Sequence, residues 1–157
     1  MTEAACELCD TDGGQVLYRD AELRIVAVTG ADGATYRGFC RVIWNEHVKE
    51  MTDLVVVERS TFMKAVFKLE AVLRAQLKPE KINIASLGNM TPHLHWHVIP
   101  RFIDDATFPK PIWATLAAST GNVRASAPGS TYVGTLSAEN TNIDWRRAVK
   151  TAFDAQN

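Results

Sequence analysis

Hydrophobic positions along this chain recur with a period that shifts between two and about 3.6, and each shift marks an element. Residues 15–20, QVLYRD, and 23–28, LRIVAV, read as two strands joined by a tight turn at 20–22, after an earlier turn at 10–14, DTDGG. Residues 29–38, TGADGATYRG, read as a glycine-rich loop, and 38–44, GFCRVIW, as a third strand whose end leaves His47 in a loop. From about Leu54 to Leu77 the residues Phe62, Val66, Leu69, Leu73 and Leu77 recur every three or four positions, the stripe of an amphipathic helix that Pro79 stops. The valine run at 55–57 is a poor helix start and leaves the first turn open. KINIASLG, 81–88, follows as a strand, 88–92 as a turn, and 93–101, HLHWHVIPR, as another strand. Residues 119–140 are rich in Ser, Thr, Gly and Ala without a period and read as an arm. Thr141 with Asp144 can cap a last helix, whose Trp145, Val149, Ala152 and Phe153 share one face that should dock on the domain or on a second subunit. The division is therefore a domain over 1–118 and, over 119–157, an arm with a short amphipathic helix.

Composition narrows the classes. With 157 residues, 46% hydrophobic and 22% charged, the chain suits one globular core. A formal net charge of -1 provides no global field for nucleic acid or an anionic membrane. No apolar run approaches the roughly 20 residues that span a bilayer, and MTEAACELCD lacks the layout of a signal peptide, so a cytoplasmic protein is expected. Three cysteines, Cys6, Cys9 and Cys40, suggest reduced thiols or metal ligands over a disulfide framework. Cys40, in mid-strand, reads as core.

The candidate chemistry lies in HLHWHVIPR, which holds three of the chain's four histidines. Side chains of a strand alternate, so His93, His95 and His97 share one face while Leu94, Trp96 and Val98 take the other. A row of imidazoles packed against apolar groups is costly unless it faces a cleft. One metal ion cannot take all three, because His93 and His97 would lie roughly 13 Å apart along a strand. Covalent catalysis fits better. An anchored neutral imidazole is a good nucleophile toward phosphorus, so His95, in the middle, would attack, His97 would donate to a phosphoryl oxygen, and His93 would support the network from behind.

HLHWHVI matches the His-φ-His-φ-His-φ-φ signature of the histidine triad (HIT) superfamily of nucleotide hydrolases and transferases, and the PR that follows resembles its diadenosine polyphosphate hydrolase branch. CELC, the hairpin, GFCRVIWNEHVKEMTDL, the long helix and KINIASLGN extend the resemblance over about residues 6–113. It implies an α+β HIT-like fold, with an antiparallel sheet of about five strands, one major helix and a C-terminal helix. It implies a nucleotide substrate, a nucleotidyl intermediate on His95, phosphate contacts by the flanking His93 and His97, and commonly a homodimer. Asn89 falls where relatives commonly carry Gln, and its shorter side chain puts a leaving-group contact in question. Asn83 matches a position that contacts phosphate or supports the site. Arg101 is a candidate for outer phosphates or for plain surface solvation. Pro109, Lys110 and Trp113 would line the nucleotide entrance, whereas Asp104 and Asp105 read as turn caps.

Cys6 and Cys9 form a single C-x-x-C, a weak metal signal alone. In some family members such a pair joins the upstream histidine, here His47, and the first triad histidine, here His93, in a structural zinc site. The other reading is two reduced thiols with His47 bonded to the triad. The triad needs no cofactor, although a divalent cation can accompany a polyphosphate substrate. Two function classes result: a HIT-type hydrolase or transferase acting at the α-phosphate of a dinucleoside polyphosphate or nucleoside phosphoramidate, and a nucleotide-binding or zinc-stabilised interaction protein with little turnover.

Overall fold

A computed structural model of the protein describes residues 6–114 and 138–155, with side chains in the second stretch from Trp145 onward. Its elements are α1 (Glu7–Asp10), β1 (Gln15–Arg19), β2 (Leu23–Ala27), α2 (Gly30–Thr35), β3 (Cys40–Trp44), α3 (Val56–Leu77), β4 (Lys81–Ser86), β5 (His95–Arg101) and α4 (Ala138–Asp154). The strands form one five-stranded sheet in the order β1-β2-β3-β5-β4, with every neighbouring pair antiparallel. The α+β expectation holds.

The period-two alternation divides the sheet into two faces. Leu23, Ile25 and Ala27 of β2, Cys40, Val42 and Trp44 of β3, and Val98 of β5 join Phe62, Val66, Leu69 and Leu73 of α3 in the main core. The stripe predicted for the long helix is the stripe it buries. Trp145, Val149 and Phe153 of α4 enter the same core, with the Phe153 ring 5.2 Å from that of Tyr18. The opposite face carries Arg24 and Val26, Arg41 and Ile43, then His95, His97, Ile99 and Arg101, in register across β2, β3 and β5. Part of it is closed by a second cluster, Val28, Tyr36, Phe39, Ile99 and Ile112, and by Leu8 of α1 against Val26 and Ile43. The 13–14 turn brings α1 down onto the sheet, and a Cβ at Gly14 would run into the Ala27 carbonyl.

Several boundaries differ from the pattern. The glycine-rich 29–38 stretch contains α2, which buries none of its residues and so leaves no hydrophobic period to read. One turn of helix, α1, spans part of the CELC segment. The long helix begins at Val56 despite exposed valines, because the Glu58 carboxylate accepts the Val55 N–H at 2.9 Å. The last strand begins at His95, two residues late. Leu94 donates its N–H to the Val48 carbonyl and accepts from Trp44 N–H, which bends the chain before the ladder starts. Thr141 lies inside α4 and does not cap it, since the helix starts at Ala138 and takes in the end of the predicted arm. The rest of that arm, residues 119–137, lies outside the described residues. No helix among the described residues is long and apolar enough to cross a membrane.

Candidate active site

His95 and His97 project from β5 onto the face away from α3, beside Ile43 and Arg41, their partners on β3. Both are buried, at 7% and 5% exposure, so neither is a solvated surface histidine. His95 Nδ1 lies 2.6 Å from the His93 carbonyl, an acceptor only, so Nδ1 carries the proton and Nε2 keeps a free lone pair. Burial holds His95 below the ordinary histidine range, an effect that its bond to the carbonyl only partly opposes. His97 is pushed further, to about 3, first by burial and then by the charges of His95 and Arg41. It is neutral at any ordinary pH. Its Nδ1 is buried with no hydrogen-bond partner among the described residues, which favours a proton on Nε2. The ring is held by Phe39 at 5.6 Å, His95 at 4.9 Å and Trp113 at 5.1 Å, with the last two edge-on. A nucleophilic nitrogen and a neutral N–H donor thus stand side by side in a partly dry site.

His93 has a different task. Its Nε2 donates to the Trp44 carbonyl at 2.7 Å, which leaves Nδ1 bare toward Cys6 Sγ and Cys9 Sγ, each 3.5 Å away. Cys9 Sγ is 3.3 Å from His47 Nδ1, and the four donor atoms all lie within 4.8 Å of one another. Cys6, Cys9, His47 and His93 therefore form a group able to hold a metal ion. The donor set passes a geometric test for zinc: thiolate and imidazole ligands at ordinary zinc bond lengths lie about 3.5 Å apart at tetrahedral angles. The carbonyl behind His93 supplies the outer contact that fixes a metal-bound imidazole's tautomer. Arg24, a buried cation on β2, holds the cysteine segment in place by donating to the Leu8 and Asp12 carbonyls at 2.6 and 3.0 Å.

The HIT domain family matches residues 14–104. The chain belongs to the HIT family. No curated protein matches it by sequence. Among solved structures, a histidine triad protein from Bradyrhizobium japonicum is 18% identical, with a TM-score of 0.64, covering 90% of this chain and 91% of that one. One from Marinobacter aquaeolei is 16% identical, with a TM-score of 0.65 and 93% of each chain covered. A hypothetical histidine triad nucleotide-binding protein from Sulfolobus tokodaii is 13% identical, with a TM-score of 0.54, covering 90% of this chain and 85% of that one. The matched HIT segment begins after Cys6 and Cys9 and ends before Trp113, so the thiol donors and the aromatic wall on His97 come from flanking chain.

In this HIT protein the remaining predicted residues are placed unevenly. Asn83 lies half-buried on β4, and its Oδ1 accepts from Arg101 Nη1 at 2.8 Å. Arg101 is not solvated. It is 1% exposed, paired with Asp105 at 2.8 Å and bonded to Thr107 Oγ1 at 3.1 Å, so its guanidinium braces the turn after β5. Asp105 also accepts the Phe102 N–H, the capping contact expected of a turn aspartate. Asn89, Pro109 and Lys110 are exposed. Sequence reasoning passed over Arg24 and Arg41. Their signal was an arginine inside an apolar strand run, LRIVAV and FCRVIW, where a cation must find partners on the sheet face.

Proposed function

We propose that this HIT protein is a nucleotide hydrolase or transferase that cleaves the bond at the α-phosphorus of a dinucleoside polyphosphate, in the manner of a diadenosine tetraphosphate hydrolase, or of a nucleoside phosphoramidate. The observation that carries this reading is the 2.6 Å contact of His95 Nδ1 with the His93 carbonyl, which leaves Nε2 as a lone pair beside the neutral His97. His95 Nε2 attacks phosphorus, a P–N bond forms, and the bond to the leaving oxygen or nitrogen breaks. His97 Nε2–H donates a hydrogen bond to the phosphoryl group and keeps its proton; a polyphosphate leaves as an anion without one, and a leaving amine takes its proton from water. Water, or another acceptor, then takes the nucleotidyl group and restores the free imidazole. Asn83 and Arg101 support β5 from beneath the phosphates, Asn89 lies on the leaving-group side, and Trp113 with Pro109 and Lys110 walls the entrance.

Cys6, Cys9, His47 and His93 would hold zinc as a structural clamp, which fixes the backbone of His93 and with it the carbonyl that orients His95. The protein works as a cytoplasmic homodimer, and a divalent cation accompanies a polyphosphate substrate. A nucleotide-binding protein without turnover is the competing reading.

Brief incubation with α-labelled diadenosine polyphosphate and with nucleoside phosphoramidate should leave acid-labile, base-stable label on the protein. If wild type never labels under turnover, or His95→Ala labels and turns over equally, the covalent mechanism is wrong. Metal analysis of wild type against Cys6→Ser/Cys9→Ser tests the clamp, and unchanged zinc content in the double variant would remove it.

A further inference from the structure

Beside the triad the same sheet face opens into a cleft of about 670 Å³, lined among others by Val28, Arg41, Gly13, Glu7, Asp12 and Asp32. Arg41 is the cross-strand partner of His97, so its Cα sits one strand from the histidines. Its head does not turn toward them. Nη1 donates to the Gly13 carbonyl at 3.3 Å, and the 13–14 turn rests on Val26 and Ala27, so the guanidinium reaches over β2, away from β5. The guanidinium carbon lies 5.9 Å from the centroid of the Phe39 ring, and Nε is buried without a partner among the described residues. Burial works against this cation, and the charges of Glu7 and Asp32 sustain it.

A strand interior is a costly place for an arginine, and among the described residues the bond to Gly13 leaves most of its planar fork unused. The lining residues do not include β5: the histidines stand one strand to the side, through the Arg41–His97 pair, and the cleft itself holds a fork of donors with carboxylates around it. A nucleotide bound phosphorus-first to His95 would extend its base past Arg41 into the cleft, toward Val28.

We infer that Arg41 is a base-specificity residue and that the cleft selects guanine: the Arg41 fork donates to O6 and N7, and the rim carboxylates Asp12 and Asp32 accept from N1–H and the 2-amino group. Adenine offers an amino donor where guanine offers O6, and a donor facing the guanidinium is repelled. The inference rests on the nucleotide reading above and names the base that reading leaves open.

The test is equilibrium binding of GMP, IMP, AMP and UMP to the full chain, for wild type, Arg41→Leu and Arg41→Lys. Wild type should bind GMP roughly ten- to a hundredfold more tightly than AMP, and IMP between them. Arg41→Leu should erase the ratio, and Arg41→Lys, which keeps the charge without the fork, should lose most of it. Equal affinity for GMP and AMP in wild type overturns the inference. So does an Arg41→Leu protein that keeps the full ratio, or one that weakens every nucleotide alike, as a phosphate contact would. Should Arg41→Leu fail to fold, Arg41→Lys decides: a collapsed ratio supports base readout and a retained one overturns it. Because binding is read without turnover, the two readings fail separately. A protein that never labels at His95 yet prefers GMP loses only the catalytic reading, and one that labels equally from all bases loses only the base preference.

Discussion

The two faces of the sheet are made from the same strands and solve opposite problems. On the α3 face Ile25, Val42 and Val98 meet Phe62, Val66 and Leu69 at 0% exposure, and geometry beyond close packing is not required of them. On the other face His95, His97, Arg24, Arg41 and Arg101 are also buried or half-buried, and the polar atoms that find partners there do so through specific contacts. Apolar burial stabilises through area and tolerates exchange of similar volumes. Polar burial stabilises only where partners are in place, so it specifies geometry, and His97 Nδ1 and Arg41 Nε are exceptions on this face, buried without a partner among the described residues.

Breaking the polar face at its centre should have the largest effect. His95→Ala is expected to lower kcat by at least about a thousandfold with little change in thermal stability, measured as single-turnover release of nucleotide alongside a melting curve. If the variant retains activity within tenfold, the nucleophile has been misassigned. Cys6→Ser/Cys9→Ser should cost both properties together: metal content falls, the melting temperature drops, and activity declines by roughly 10- to 100-fold as His93 loses its anchor. A double variant with wild-type melting and rate would make the cysteines incidental to the polar face.

The apolar face should respond in the opposite sense. Leu69→Ala is expected to remove about 2–5 kcal/mol of unfolding free energy while kcat per folded molecule stays near wild type. Denaturant titration with active-site counting separates the two, and a large kcat loss in a fully folded sample would show that the faces are coupled. Taken per pH unit, the smallest effect is pH-dependent. Between about pH 6.5 and about pH 3 the folded protein holds fewer protons at His97 than the unfolded chain does, so stability falls as pH is lowered through that window. This group's share of the slope is at most about 1.4 kcal/mol per pH unit, and it vanishes above about pH 6.5. Turnover should persist below the ordinary histidine range, and an acid limb centred at that ordinary value would mean that burial does not hold His95 and His97 neutral.

Much of this architecture was legible because periodicity is local. The alternation of HLHWHVIPR and the 3.6-residue stripe of Phe62, Val66, Leu69 and Leu73 each follow from a few consecutive side chains and the geometry of one element. Where the local signal was absent, the reading lapsed: α2 buries nothing, and the start of α3 depends on one contact from Glu58 to Val55. Arg101 looked like a solvated or phosphate-seeking cation because its partners, Asn83 on β4 and Thr107 beyond the turn, become neighbours only through the sheet and the turn that follows it.

By itself the sequence determined that three imidazoles share a strand period, that their alternate residues belong to a core, and that a C-x-x-C and a fourth histidine were available for a metal. Tertiary structure decided how those groups divide. The bend at Leu94 turns His93 toward cysteines 84 and 87 positions away, while His95 and His97 stay on the cleft side with Arg41. Spacing along a chain constrains which side chains face together. Which distant donors they meet is set by long-range packing, because only packing fixes the distances between elements.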